Sequence, residues 1–368
     1  MQKPYYSNSG IIIYYGDCLE VMSQLSVNSV DAIVCDPPYG LNFMGKAWDR
    51  GVPGIPFWVE ALRVSKPGVY LVAFGGTRTY HRLACAIEDA GWEVRDCLMW
   101  LYGTGFPKSM DVSKALDKAA GVEREVVGIH RRHGGGSPKS GSMSGSLGVG
   151  AELPLTVSTT DAAKQWEGWG TGLKPSWEPV LLARKPVAGT VARNVLKYGT
   201  GGINIDACRL KLPKNDPQVT LRKGKICKAS GKNNVYASGM GKVTSSYFND
   251  KGRWPANLML DEASAGMLDE QNNGVSRFFY CAKAPRSERG EGNDHPTVKP
   301  LSLMQYLCKL VIPENGIVLD PFMGSGSTLI AASRLGREVI GIDINEKYCE
   351  IASNRLNQEM PLFNSKRK

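Results

Sequence analysis

The constraint that narrows the fold most lies near the C-terminus. Ile317-Val318-Leu319-Asp320 is a short apolar run that predicts a buried strand, and Pro321 to Thr328 is a turn carrying Gly324 and Gly326. Leu329 to Leu335 then reads as a helix, and Glu338 to Ile342 as a second strand that ends at Asp343. Strand, glycine turn, helix, strand and acid in this order form a nucleotide-type βαβ fingerprint. The glycines let backbone approach a ligand, and the acid can accept hydrogen bonds from ribose hydroxyls. No Gly-Lys-Ser/Thr follows, so the turn is not a phosphate loop. In a chain of 368 residues, only Glu346 to Asn357 clearly continues past this unit, as one helix. A nucleotide-binding sheet needs more strands than that.

The missing strands stand at the other end. Ile11–Tyr15, Val30–Cys35, Val69–Phe74 and Val94–Tyr102 read as strands. Helical stretches at Leu19–Leu25, Phe57–Leu62 and Arg78–Ala90 alternate with them, the last closed by Gly91, and Lys66-Pro67-Gly68 reads as a turn. The expected fold is an α/β, doubly wound, mostly parallel sheet that is circularly permuted. The strand ends at 35 and 320 then lie side by side over one cleft.

Val30–Cys35 runs into Asp36-Pro37-Pro38-Tyr39-Gly40. Proline has no N–H to donate, so the ladder stops there. A carboxylate, the Pro37 carbonyl and an aromatic ring are left at the carboxyl end of a strand, where open α/β sheets bind ligands. These groups are acceptors and a stacking face, with no nucleophile among them. They suit a planar substrate bearing an NH2 group, although the same residues also read as a plain strand-ending turn. Cys35 sits on the buried strand and reads as a packing residue.

Asp36-Pro37-Pro38-Tyr39 resembles the catalytic motif of amino-group DNA methyltransferases. The order of motifs, catalytic tetrapeptide first and cofactor glycines last, is similar to the β group of that family, over roughly residues 10–186 and 277–358. The resemblance implies a Rossmann-like methyltransferase sheet with an inserted target-recognition region, and S-adenosylmethionine as cofactor. It makes Asp36, Pro37, Pro38 and Tyr39 catalytic. It places Asp320, Pro321, Phe322, Gly324, Ser325, Gly326, Ser327 and Thr328 on the cofactor, with Ser327 standing where threonine is common. His295, Thr297, Lys299 and Pro300 belong to a segment lining its methionine end, Asp343 binds its ribose, and Asp17 with Cys18 lies near its adenine. Asp in the first motif position is commoner in N6-adenine enzymes than in N4-cytosine enzymes. The implied reaction is therefore methylation of adenine N6 in a base flipped out of double-stranded DNA. N4-cytosine methylation is the alternative, and RNA methylation, protein methylation and nicotinamide-dependent redox chemistry stand behind it.

Net charge is +10 with pI near 9.1, which favours a polyanionic partner. Residues 187–276 have weak apolar periodicity and carry Arg209, Lys211, Lys214, Arg222, Lys223, Lys225, Lys228 and Lys232. That pattern fits both a nucleic-acid-facing domain and a flexible basic insertion. The expected division is a catalytic half at 1–186 with a mobile insertion at about 105–172, a target-recognition domain at 187–276, and a cofactor half at 277–368. Met110–Ala120 reads as an exposed helix within the first of these. His130 and His133 have no nearby carboxylate or thiolate partner, so no metal site is expected. The 9 cysteines include no C-x-x-C pair and read as reduced thiols. There is no apolar run of about 18 residues and no signal-peptide core, so a cytoplasmic location is expected. A homodimer and a companion restriction nuclease are left open.

Overall fold

The apolar runs of the sequence become strands. In chain order they are β1 (Tyr6–Asn8), β2 (Ile11–Tyr15), β3 (Val30–Cys35), β4 (Ser65–Phe74), β5 (Glu93–Leu101), β6 (Val126–Arg131), β7 (Glu152–Thr156), β8 (Trp177–Arg184), β9 (Leu258–Asp261), β10 (Tyr280–Ala282), β11 (Ile317–Asp320) and β12 (Glu338–Asp343). The computed structural model describes residues 2–42, 49–103, 105, 109–131, 152–212, 252–271, 274–282 and 298–366. β6 and β7 pair with each other, and the remaining strands form one sheet in the order β1-β2-β12-β11-β3-β4-β8-β5-β9-β10. Only β1 and β8 run against the rest.

The permutation expected from the sequence is present. β11 pairs in parallel with β3, matching Val318 to Ala32 and Leu319 to Ile33. All six residues of β3 are buried because both faces of the sheet are covered. On one face, Ile33, Cys35 and Leu71 meet helices Cys18–Ser23, Ile55–Val64 and Tyr80–Asp89 through Met22, Trp58 and Ile87. On the other, Ala32, Val34 and Val318 meet helices Leu301–Val311, Ser327–Ser333 and Glu346–Lys366 through Leu307, Leu329 and Ala352.

Three elements differ from the sequence expectation. The turn expected at Lys66-Pro67-Gly68 lies inside β4, where the register with β3 shifts between Val30 and Ala32 and Gly68 takes φ +80°. The Pro67 carbonyl accepts from Asn194 Nδ2 (2.8 Å) and Thr200 Oγ1 (2.6 Å), which fastens the chain after β8 to the sheet. Second, β9 lies within the segment 187–276 yet pairs in parallel with β5, with Met259 and Leu260 buried. A four-residue run in a polar stretch is too short to show as periodicity. Residues 213–251, which carry Lys214, Arg222, Lys223, Lys225, Lys228 and Lys232, lie outside the described residues. Third, helix Val112–Ala119 buries Ser113 and Asp117 instead of standing exposed. Asp117 pairs with Arg124 (3.2 Å) and accepts from the Thr159 and Thr160 N–H groups, so the described part of the β5–β8 connection has a polar centre of its own. Residues 132–151 of that connection, with His133, are likewise outside the description, as is the side chain of His130.

Among the described residues, no helix is long and apolar enough to cross a membrane, and no group of three or more His, Cys, Asp or Glu residues could hold a metal ion.

Candidate active site

After β3 the chain turns through helix Ile55–Val64 to β4 on one side, and after β11 it turns through helix Ser327–Ser333 to β12 on the other. Neighbouring strands whose connections leave in opposite directions open a crevice at their carboxyl ends. Asp36 follows one strand and Pro321 the other, and both line a single cavity of about 400 Å³.

The catalytic tetrapeptide is held in a buried polar cluster. Lys299 Nζ donates to Asp36 Oδ2 (2.7 Å) and lies 3.2 Å from Glu178 Oε2 and 3.1 Å from the Tyr39 hydroxyl. That hydroxyl is 2.9 Å from Asp36 Oδ1 and 3.0 Å from Glu178 Oε2, so its one proton serves one carboxylate at a time. Burial alone would lower the Lys299 ammonium, but Asp36 and Glu178 outweigh it and hold the ammonium above its ordinary value. Burial, with the same two carboxylates, raises the Tyr39 phenol well above its usual range. Lys299 is therefore a fixed cation and Tyr39 a fixed neutral donor.

The backbone around the motif is clamped as well. Thr79 Oγ1 donates to the Tyr39 carbonyl (2.6 Å). Asp49, buried, accepts from the Gly40 N–H (2.8 Å) and the Leu41 N–H (3.2 Å). Gly40 sits at φ +66°, and a Cβ there would come within 3.0 Å of the Val52 nitrogen.

The opposite wall is the glycine turn. Asp320 accepts from the Phe322 N–H (3.1 Å) and from Thr328; burial raises its carboxyl to about 7 against those lowering contacts. Phe322 lies 6.2 Å from both the Phe57 and Trp58 rings. Asp343 Oδ2 accepts from the Gly324 N–H (2.9 Å) and Oδ1 from the Asn345 N–H (2.8 Å). A carboxylate offers about four lone-pair sites, so both oxygens keep capacity for ligand hydroxyls. Asp17 caps helix Cys18–Ser23 by accepting from the Leu19 N–H (2.8 Å), and Cys18 is buried beside it on the cavity wall. Ser327 Oγ is buried on the wall with no hydrogen-bond partner among the described atoms.

Asp36, Pro37, Pro38, Tyr39, Asp17, Cys18, Lys299, Asp320, Pro321, Phe322, Gly324, Ser325, Ser327, Thr328 and Asp343 are thus brought to one cavity. Gly326 and Pro300 are off its wall: Gly326 faces Ala352, and Pro300 begins helix Leu301–Val311. His295 and Thr297 lie outside the described residues. Sequence reasoning missed Glu178, Asp49 and Thr79. Glu178 had one available signal, a carboxylate within the apolar stretch Trp177–Arg184.

Comparison with known proteins gives a consistent picture. A family model described as DNA methylase matches residues 30–354. The chain is similar to the type II methyltransferase M.HindIII of Haemophilus influenzae, 25% identical over 393 residues that cover 94% of this chain and 95% of that one. Over a shorter stretch it is similar to the type II methyltransferase M2.DpnII of Streptococcus pneumoniae, 46% identical over 95 residues, 25% of this chain and 35% of that one. Among solved structures, the cytosine-N4-specific PvuII DNA methyltransferase aligns with a TM-score of 0.48 at 14% identity, covering 99% of this chain and 94% of that chain.

Proposed function

The chain belongs to the DNA methylase family of N6-adenine and N4-cytosine enzymes, and we propose that it methylates N6 of adenine in a base flipped out of double-stranded DNA. It is a DNA methyltransferase, and S-adenosylmethionine is its methyl donor. The observation that carries the methyl-transfer reading is the shared cavity, with the Asp36 corner on one wall and the turn 321–328 on the other.

The bound cofactor supplies an electrophilic methyl group carried on a sulfonium. The residues that would hold it fit its chemistry: Asp343 has acceptor capacity for ribose hydroxyls, Asp17 and Cys18 flank that end, and the orphaned Ser327 hydroxyl offers a donor for a polar group. An exocyclic amine is a poor nucleophile because its lone pair is delocalised into the ring. Hydrogen bonds from the NH2 to the Asp36 carboxylate and the Pro37 carbonyl concentrate electron density on nitrogen and aim it. Asp36 is then in place to take the proton that the amine sheds. Positioning and fixed charge of this kind supply most of the barrier reduction. The Tyr39 ring offers a stacking face, and a base paired within a duplex cannot enter the cleft, so it must leave the stack. Asp at the first motif position favours adenine over cytosine, which remains the second reading.

Target recognition falls on this reading to the parts of residues 187–276 that lie outside β9, which belongs to the central sheet. The Arg209 guanidinium stacks over Trp254 (5.1 Å to the centroid), and Trp254 is largely exposed. The halves at 1–186 and 277–368 supply the catalytic corner and the cofactor wall. On this reading the enzyme works in the cytoplasm, and the type II methyltransferase names of two relatives support a restriction–modification setting.

Incubation with unmethylated genomic DNA, nuclease digestion and nucleoside mass spectrometry are expected to show N6-methyldeoxyadenosine. N4-methyldeoxycytidine in its place would favour the second reading, and no methylated nucleoside would overturn both.

Cofactor affinity should depend on pH through Asp343. Burial raises its carboxyl to about 6, against the lowering contacts from Asn345 and Gly324. The group therefore gains its proton as pH falls through about 6, and the neutral form accepts hydroxyl hydrogen bonds less well. Titration calorimetry is expected to show S-adenosylmethionine affinity falling below that value, by up to about tenfold per pH unit if only the ionised form binds. In Asp343→Asn, affinity should be lower and the step near that pH lost. A step that persists in the variant would assign it elsewhere.

A further inference from the structure

Glu178 is the one carboxylate of the buried cluster that the methyl-transfer reading leaves without a task. It stands on β8 opposite Trp100 of β5, on the wall of the cavity. Its Oε2 is 3.0 Å from the Tyr39 hydroxyl and 3.2 Å from Lys299 Nζ. Those are the same two groups that engage Asp36, one at each oxygen, at 2.9 and 2.7 Å. About two of the four lone-pair sites of Asp36 stay open to a base amine, but the amine must share the carboxylate with Lys299 and Tyr39.

How tightly those two donors hold Asp36 decides how well it can serve the amine. The Lys299 side chain is only 8% exposed, so its ammonium has little access to water and depends on its carboxylate partners. A buried cation without a partner is strongly disfavoured. With Asp36 as its sole counterion, Lys299 would hold the carboxylate against the incoming amine. Glu178 changes that balance because it already contacts both donors. We propose that Glu178 is a positioning residue that shares Lys299 and Tyr39 with Asp36, so that Asp36 keeps its acceptor strength for the amine of the target base. The proposal rests on the methyl-transfer reading above.

The alternative is that Glu178 serves only as a structural counterion. Two variants separate the roles. Glu178→Gln keeps size and one acceptor oxygen but removes the charge, while Glu178→Asp keeps the charge on a shorter arm. The assay uses unmethylated genomic DNA from a host lacking its own DNA methyltransferases, with methyl-tritiated S-adenosylmethionine. For Glu178→Gln, the single-turnover rate is expected to fall by about 10- to 100-fold, with KM for DNA and cofactor each within about threefold of wild type. The melting temperature should be unchanged, and Glu178→Asp should regain most of the rate. A Glu178→Gln rate within about threefold of wild type would overturn the proposal. So would a loss confined to KM, or one explained by a lower melting temperature. A wild-type chain that incorporates no methyl groups would instead sink the functional reading.

Discussion

Asp36→Ala is expected to lower single-turnover methyl transfer by about 10³-fold or more, with S-adenosylmethionine affinity and melting temperature little changed. The side chain holds two tasks at once: it accepts from the amine and receives its proton. Alanine removes both, and no other carboxylate reaches the same corner without moving. The fold should survive because Lys299 keeps Glu178 at 3.2 Å and is not left as an unpaired buried cation. Asp36→Asn keeps one acceptor oxygen but loses the charge, so a smaller loss of about 10- to 100-fold is expected. Cys35 offers no substitute chemistry. It is fully buried on β3, and burial together with Asp320 and Asp36 pushes its thiol well above the ordinary range, away from the thiolate. Rapid-quench assays and calorimetry on the same preparations check both parts. An Asp36→Ala enzyme within tenfold of wild type would remove the tetrapeptide from the chemistry.

The parts of the site that sequence made legible are those set by local chemistry. β3, interrupted only by Asp31, and β11, ending at Asp320, show as apolar runs because a parallel sheet buries them on both faces. The prolines after Asp36 stop the ladder wherever the strand lies. The meeting of the two chain ends followed from a shortage of strands after Asp343, an argument about topology that needs no side-chain detail. The parts that stayed hidden depend on side-chain direction across long separations. Glu178 meets Tyr39 across 139 positions, and its place in an apolar strand reads as one polar interruption among buried residues. Lys299 was expected at the methionine end of the cofactor; it lines the same cavity, but its ammonium lies on Asp36 and Glu178. Asp49 pins Gly40 and Leu41 from within a stretch of Gly, Pro and aromatic residues that carries no period. β9 was missed because its pairing with β5, across some 160 residues, and not its own composition, makes it a strand.

Gly326→Ala is expected to destabilise the protein by about 2–5 kcal/mol, the sum of two separate costs. Gly326 sits at φ +81°, a left-handed conformation that costs a residue with a Cβ about 1–2 kcal/mol. Its Cβ would also lie 2.9 Å from the Ala352 Cβ and 3.4 Å from the Ala352 Cα, and overpacking of this kind adds about 1–3 kcal/mol. The clash is with a helix, so a rotamer change cannot relieve it. Gly326 also donates to the Met323 carbonyl (2.9 Å) and accepts from the Ile330 N–H (3.0 Å) at the head of helix Ser327–Ser333. Movement there displaces Ser325 and Ser327 on the cavity wall, so cofactor affinity should fall together with stability. Gly336 separates the two costs. It has φ +71° with nothing within 4 Å of a built Cβ, so Gly336→Ala should show only the conformational part and leave cofactor affinity intact. Urea unfolding and calorimetry on the two variants test the difference. Equal destabilisation, or cofactor affinity lost equally in both, would mean that the packing of the glycine turn against Ala352 does not shape the site.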